Sequence, residues 1–470
     1  MRKSKKLFST REPNGSLGHE KNTTCAKGAF GALRLESACG AARVAVMNAF
    51  QTTGNEANPD ALSAIVRASE TYSIIASQDI VDARGIKLWA KGQPVSAALQ
   101  QRLLDRTLQR PLEACLAVED GVSLVRLKDD LKAYLDDDTP LTAALRPWAP
   151  ELLEQVKQLP LHSVAQLVLT AAVATRPHTL PHAVAAMALA GAMASGQRSV
   201  VDVRLAMLGG LLHDIGEMYI QPQYLDYAGP LDLLGHKHLL VHPRVAQRLL
   251  STTTDYPESL CRAIGEHHER LDGSGYPARL ATDNISPLGR MLAVVDVTLG
   301  IHARAPVAPL TRACFALRVV PGEFDPRWSN LICSVARTVG ETLPAEAAQA
   351  HPLQSLQLVQ IDQRMQQAQQ LGAMLKQQSR VGTSMEIVEA AQYRLSRLRV
   401  AWYALGFWGL DAGTELSPVE RFELQMAANE LQWRLRQLQR ECLLMAERLG
   451  ESDKARLAPL WQGLLEDRVG

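Results

Sequence analysis

The segment His267-His268-Glu269-Arg270-Leu271-Asp272-Gly273-Ser274-Gly275-Tyr276-Pro277 joins two adjacent imidazoles to a turn-rich loop. Upstream of it stand His213-Asp214-Ile215-Gly216 and His242-Pro243. Most of the chain's 12 histidines fall between His178 and His268. Clustered imidazoles mixed with carboxylates are a donor set for Fe, Mn or Zn, which scattered surface histidines are not. The apolar run from Val203 to Leu212 predicts a helix that delivers His213 and Asp214 at its end, where Gly216 breaks the pattern. Thr179 is the expected cap of another helix with Pro181 in its first turn, so His182 projects from its beginning, ahead of Ala183 to Ala194. Consecutive helical residues diverge by about 100°, so a His-Asp or His-His dyad can serve two neighbouring metals. Two dyads therefore predict a multinuclear centre.

In this order, the pieces resemble the HD-GYP family of bacterial cyclic dinucleotide phosphodiesterases, a branch of the HD metal-dependent phosphohydrolases. They are His182, His213-Asp214 within HDIG, His242-Pro243, HHE followed by GYP, and a later aspartate, Asp296, within residues 160 to 340. Phe324-Asp325-Pro326 is similar to the segment that closes the family's domain. The resemblance implies two divalent transition-metal ions, Fe or Mn, held by His182, His213, Asp214, His242, His267, His268 and Asp296. Asp214 would bridge them, and the water they activate would attack phosphorus. The implied reaction is hydrolysis of cyclic di-GMP to linear pGpG, and further to GMP, in second-messenger signalling. The implied substrate loop comprises Gly273, Gly275, Tyr276 and Pro277 with Arg304, and in the family it also meets partner signalling proteins.

His178, four residues before His182, stands where some members of that family place a glutamate that recruits a third metal. Pro181 argues against a continuous helix through it. For His236, His238 and His302 the plainer reading is an ordinary core or surface imidazole. The glycines of the loop permit backbone conformations and close approaches that other residues resist. Departures from the family gather at basic positions. Glu217 replaces the lysine that usually follows HDIG, and Ala305-Pro306-Val307-Ala308 replaces an arginine-bearing segment. Charge reversal beside a polyanion and loss of bidentate donors weaken phosphate binding. Asp214 and Glu217 are the candidate catalytic carboxylates, and Arg304 or Arg290 the candidate replacement cations. The intact ligand set favours an enzyme. Glu217, Ala305 and Ala308 favour a receptor that binds a nucleotide or a partner protein without turnover.

The remaining composition sets bounds. A chain of 470 residues, 47% hydrophobic, can bury two or three domain cores. Net charge of +1 gives no general attraction to polymeric nucleic acid or membrane. No apolar run reaches the roughly twenty residues of a membrane span. Seven cysteines without C-x-x-C spacing predict reduced structural thiols and a cytoplasmic protein. The expected architecture is mainly α. Residues 1–59 read as a disordered tail, with Met47 an alternative start, and 60–140 as a small α/β accessory region. Residues 141–345 read as the metal domain, and 350–470 as a helical bundle. In the accessory region Ile74-Ile75, Asp79 to Val81 and Ile86 to Trp89 read as strands, and Ser96 caps a helix. Apolar seams recur at Leu358 to Ala368, Val388 to Leu405 and Leu424 to Leu449, the latter two behind capping boxes at Thr383 and Ser417. A return through Gly409 to Gly413 favours a self-packed bundle over an intermolecular coiled coil, with self-association left open.

Overall fold

The computed structural model describes residues 55–103, 105–197, 200–225, 232–341, 353–378, 382–406 and 416–464. Most of the tail and the Gly409 to Gly413 return lie outside the described residues. The chain is mainly α, with a few short strands near its beginning.

Those strands form three antiparallel pairs. β1 (Asn55–Glu56) pairs with β5 (Thr107–Leu108), β2 (Ile74–Ala76) with β6 (Leu116–Val118), and β3 (Ile80–Val81) with β4 (Lys87–Trp89). β2, β3 and β4 stand where the sequence predicts strands; β1, β5 and β6 are additional. The expected tail boundary is corrected at its end. Residues 55–59 belong to the folded region, because Asn58 caps α1 (Pro59–Ala68) by accepting from the Asp60 and Ala61 N–H groups. A capping side chain followed by proline at the first helical position recurs at Thr139-Pro140, Ser286-Pro287, Asp325-Pro326 and Ser417-Pro418. Proline lacks the N–H that a helix start leaves unpaired, and the cap satisfies another.

After α2 (Ala97–Leu103), the chain enters α3 (Leu124–Asp136), α4 (Pro140–Leu145) and α5 (Ala149–Gln155). Next come α6 (Ser163–Thr175), α7 (Thr179–Ser195) and α8 (Val203–Leu212). The α7 start differs from the expected one. His178 occupies the cap position without a side-chain bond, and Thr179 is already helical. Small residues line α7 on most sides, and Ala186, Ala188 and Ala190 have no exposed surface. Beyond them lie α9 (Pro222–Leu225), α10 (Leu233–Leu240), α11 (His242–Thr253), α12 (Glu258–Glu266), α13 (Pro287–Arg304), α14 (Pro309–Arg318) and α15 (Pro326–Val339). One apolar cluster runs from Ile65 in α1 through Ile74 and Leu116 in the strands to Leu208, Leu292 and Trp328. The strand region and the histidine-bearing helices thus share one core.

Cys314 and Cys333 are joined by a disulfide across α14 and α15, which corrects the expectation of reduced thiols. Their separation of 19 residues gives no sequence signature, and helix packing alone brings their Cα atoms to 4.8 Å. Cys115, Cys261 and Cys442 are free and buried.

The C-terminal helices are α16 (Leu353–Gln378), α17 (Thr383–Leu405), α18 (Pro418–Ala446) and α19 (Glu451–Gln462). Their seam buries Ile361, Met365, Val388, Leu395, Leu398, Leu431, Leu435 and Leu438. The Ser417–Glu420 capping box forms; the Thr383–Glu386 box does not, because Gly382 holds the cap position with no side chain. α19 was not anticipated. The bundle core also takes in Ala308, Phe315, Val319 and Val320 from around α14, so its packing crosses the expected boundary. No helix among the described residues is long and apolar enough to cross a membrane.

Candidate metal centre

Three of the site's imidazoles arise just beyond helix ends: His213 after α8, His242 after α10 and His267 after α12. The last carbonyls of a helix lack intrahelical partners. Here each ring uses one. His213 Nδ1 lies 2.8 Å from Gly210 O, His242 Nδ1 2.7 Å from Leu239 O and His267 Nδ1 2.6 Å from Ile264 O, three residues back in every case. A neutral ring donating from Nδ1 keeps its lone pair on Nε2, which is the metal-ready tautomer.

All three Nε2 atoms face Asp214. His213 Nε2 is 3.1 Å and His182 Nε2 3.5 Å from Asp214 Oδ2, whereas His242 Nε2 is 3.3 Å and His267 Nε2 3.4 Å from Oδ1. The carboxylate therefore turns one oxygen toward each of two imidazole pairs. His242 Nε2 and His267 Nε2 approach to 3.1 Å, and His213 Nε2 is buried without a hydrogen bond. An orphaned His213 nitrogen and two imidazole nitrogens facing each other, all around a shared carboxylate, fit a cation. The donor atoms form two convergent groups, Asp214 with His242, His267 and His268, and Asp214 with His182 and His213.

Charge is divided unevenly among these rings. Burial disfavours a charged His213, but the adjacent Asp214 outweighs it and raises its pKa to about 9. Burial and then the charge of His267 push His268 down to about 3. Burial also opposes a charged Asp214, yet the His213 charge and the imidazole hydrogen bonds hold its pKa well below the usual range.

Asp296 lies outside both groups and faces His268 Nδ1 at 3.2 Å. His178 is exposed and belongs to neither group. Arg304 is exposed, with its Nε donating to Gly300 O in its own helix. Arg290 is occupied by the carbonyls of Ile285 and Thr282 and by Asp283 and Asp325, so it braces a loop. Glu217 also stands apart from the convergent donors and pairs with Arg176 at 2.9 Å. Burial and then the Asp214 charge raise its pKa. Arg176, which was not singled out in the sequence, thus supplies a cation beside the position where the family lysine is missing.

The HDIG glycine has a spatial reason. A Cβ on Gly216 would lie 2.0 Å from His242 O, so only glycine lets the turn after Asp214 press against the start of α11. Gly275 is similarly constrained, since its Cβ would meet Arg270 N at 2.4 Å. Tyr276 stacks on His268 with ring centres 4.5 Å apart and planes at 24°. Pro277 follows it across a cis peptide bond, and Gly273 has a φ of 75°. Glu269, another group whose role was not read from the sequence, accepts from Ala278 N at 2.6 Å and Leu280 N at 2.8 Å, closing the loop behind the histidines.

A family model described as HD domain matches residues 153–300. Residues 153–300 are thus similar to an HD domain. Over 185 residues the chain is 35% identical to the cyclic di-GMP phosphodiesterase PA4108 of Pseudomonas aeruginosa, covering 38% of this chain and 44% of that one. It is 31% identical over 131 residues to the cyclic di-GMP phosphodiesterase response regulator RpfG of Xanthomonas campestris pv. campestris, covering 27% of this chain and 35% of that one. It is also 33% identical over 96 residues to 3'3'-cGAMP-specific phosphodiesterase 3 of Vibrio cholerae, covering 20% and 21% respectively. The chain spans less than half the length of these curated relatives. The matched segment contains His182, His213, Asp214, His242, His267, His268 and Asp296.

Proposed function

We propose that the protein is a metal-dependent phosphodiesterase that hydrolyses cyclic di-GMP to linear pGpG and on to GMP. The observation that carries this reading is the Asp214 carboxylate, with one oxygen turned toward each of two imidazole pairs. His182, His213 and Asp214 would hold one ion, and Asp214, His242, His267 and His268 the other, with Asp296 supporting His268. When bound, two divalent ions supply water activation and charge stabilisation at phosphorus. Mixed imidazole and carboxylate donors suit Fe or Mn. The chain's own groups do the orienting: backbone carbonyls fix the ring tautomers, and Tyr276 covers His268. Arg176, anchored by Glu217, is the proposed cationic contact for the diester. We assign this work to residues 141–345, preceded by the strand-containing accessory region and followed by the bundle.

We propose a cytoplasmic protein, since that is where a nucleotide second messenger would be turned over. The Cys314–Cys333 bond argues in the other direction, since reducing compartments keep thiols open. Peptide mapping of the alkylated protein from intact cells distinguishes the two placements.

The functional test is anaerobic purification with metal analysis, followed by product chromatography in Fe(II) or Mn(II) with cyclic di-GMP and, separately, 3'3'-cGAMP. The expected result is about two ions per chain and release of pGpG. Full metal occupancy with turnover of 3'3'-cGAMP alone would replace the substrate. Full occupancy with no turnover of either would leave a receptor.

A further inference from the structure

The loop after the paired histidines is held from outside the HD domain by the C-terminal bundle. Arg394 and Arg397 stand one turn apart on α17. Arg394 Nη1 donates to Ser274 O at 3.3 Å and to Glu441 Oε2 on α18 at 2.8 Å. Glu441 Oε1 reaches back to Arg279, just beyond the loop, at 3.2 Å. Arg397 Nε faces Asp272 Oδ2 at 3.4 Å, and another of its nitrogens donates to Pro321 O. The Asp272 side chain is only 4% exposed. Its other oxygen accepts the Ser274 N–H at 3.1 Å, so the countercharge from the bundle acts on a carboxylate that also shapes the turn. A carboxylate this buried requires a cation or a full set of hydrogen bonds.

The other end of the loop is fixed to the metal centre. Tyr276 N donates to His268 O at 3.1 Å while its ring stacks on the His268 ring. Between the two ends, Gly275 lies so close to the Glu269-Arg270 backbone that the loop cannot shift there independently. Displacing Asp272 and Ser274 therefore moves Tyr276 against a metal-facing ring. Neither arginine belongs to the bundle's apolar seam, and Arg394 is nevertheless largely buried.

We propose that Arg394 and Arg397 are positioning residues for the metal centre: through Asp272 and Ser274 they hold the loop that sets Tyr276 against His268. Full activity of the HD domain then depends on the docked bundle. The activity arm of the test rests on the phosphodiesterase reading; the positioning itself does not.

The experiment uses the full chain, as wild type, as Arg394→Ala/Arg397→Ala and as Arg394→Lys/Arg397→Lys. It measures amide hydrogen exchange, metal content, and kcat and KM for cyclic di-GMP. In the alanine pair, exchange over residues 271–278 should quicken by about tenfold while α13 keeps wild-type protection. Metal content should stay unchanged, and kcat should fall about tenfold, the scale of a lost supporting contact around a ligand. KM should move by less than about threefold, and the lysine pair should recover part of both effects. Unaltered loop exchange in a folded alanine pair would overturn the proposal, even if kcat fell. If that pair does not fold, Asp272→Asn, which alters only the loop side, must quicken the same amides, and wild-type exchange there overturns the proposal equally. If the loop loosens but wild type turns over no cyclic di-GMP, positioning stands and the substrate reading fails.

Discussion

Around Asp214, each of three buried imidazoles is oriented by a carbonyl three residues back in its own segment. At the contact between the bundle and the α14 region, Arg434 is held by Glu323, which is 111 residues away, and donates to the Ala316 carbonyl at 2.9 Å. Both places bury polar groups, yet the first relies on local geometry and the second on tertiary packing. The ligand cluster should therefore resist distant changes that leave its helix ends and loop contacts intact. The bundle contact should fail cooperatively when either side is altered.

The largest expected effect comes from removing the group shared by both halves of the cluster. Asp214→Ala should reduce metal content from about two ions to near zero and abolish turnover. Metal analysis of the folded variant checks this, and retention of both ions would mean that the imidazoles suffice without the carboxylate.

Next is the distant pair. Arg434→Met should destabilise the protein by about 3 to 5 kcal/mol, because Glu323 remains buried without its cation. Adding Glu323→Gln should recover part of that loss. Denaturant unfolding of the single and double variants measures it, and a single-variant loss below about 1 kcal/mol would place the pair with weak surface bridges. Deleting the chain beyond residue 341 should act in the same sense. From the sequence, the remainder would be an independent metal domain; the structure shows that deletion would uncover Phe315, Val319 and Val320 and strip Glu323 of Arg434. Aggregation of the truncated chain is expected, and a monomeric, metal-loaded product would restore the boundary near 345.

Gly216→Ala tests whether the local half is as self-contained as its hydrogen bonds suggest. The new methyl group would meet His242 O, and the resulting backbone shift should cost about 1 to 3 kcal/mol. Metal affinity should fall about 10- to 100-fold, read by competition with a chelating dye. Unchanged affinity would show that α11 can retreat without carrying His242 away.

The smallest effect is at Glu217. Its pairing with Arg176 means that lysine there would not simply restore a missing cation but would set two cations together. Glu217→Lys should cost about 1 to 2 kcal/mol in thermal or denaturant unfolding, because the pair is only partly exposed to screening water. A stabilised variant with tighter cyclic di-GMP binding would show that Arg176 moves aside readily.

The position of the cluster was legible because its chemistry is written in short spacings. His213-Asp214, His242-Pro243 and His267-His268 each lie beside a helix boundary that capping and periodicity can locate. The α8 boundaries follow directly from the Val203 to Leu212 apolar run. The strands β1, β5 and β6 carry no such local mark, whereas β2, β3 and β4, equally short, were legible from β-branched or aromatic residues beside the Arg84-Gly85 and Lys91-Gly92 turns. The Asn58-Pro59 start of α1 was legible in principle, since it uses the same cap-proline pair as Ser417-Pro418.

The sequence by itself determined the mainly α class and the amphipathic seams of the bundle, and it named the five histidines and Asp214 that the fold brings together, because each depends on residue type and spacing within one or two turns. Tertiary structure alone decided which Asp214 oxygen faces which imidazoles, that Glu217 meets Arg176 and that Cys314 meets Cys333. It also decided that Arg394 and Arg397 reach the loop beside His268. These contacts join segments separated by up to 125 residues, and no local energetic preference encodes them. They follow from how the helices pack, which sets the few ångströms that separate an ion pair from two solvated charges.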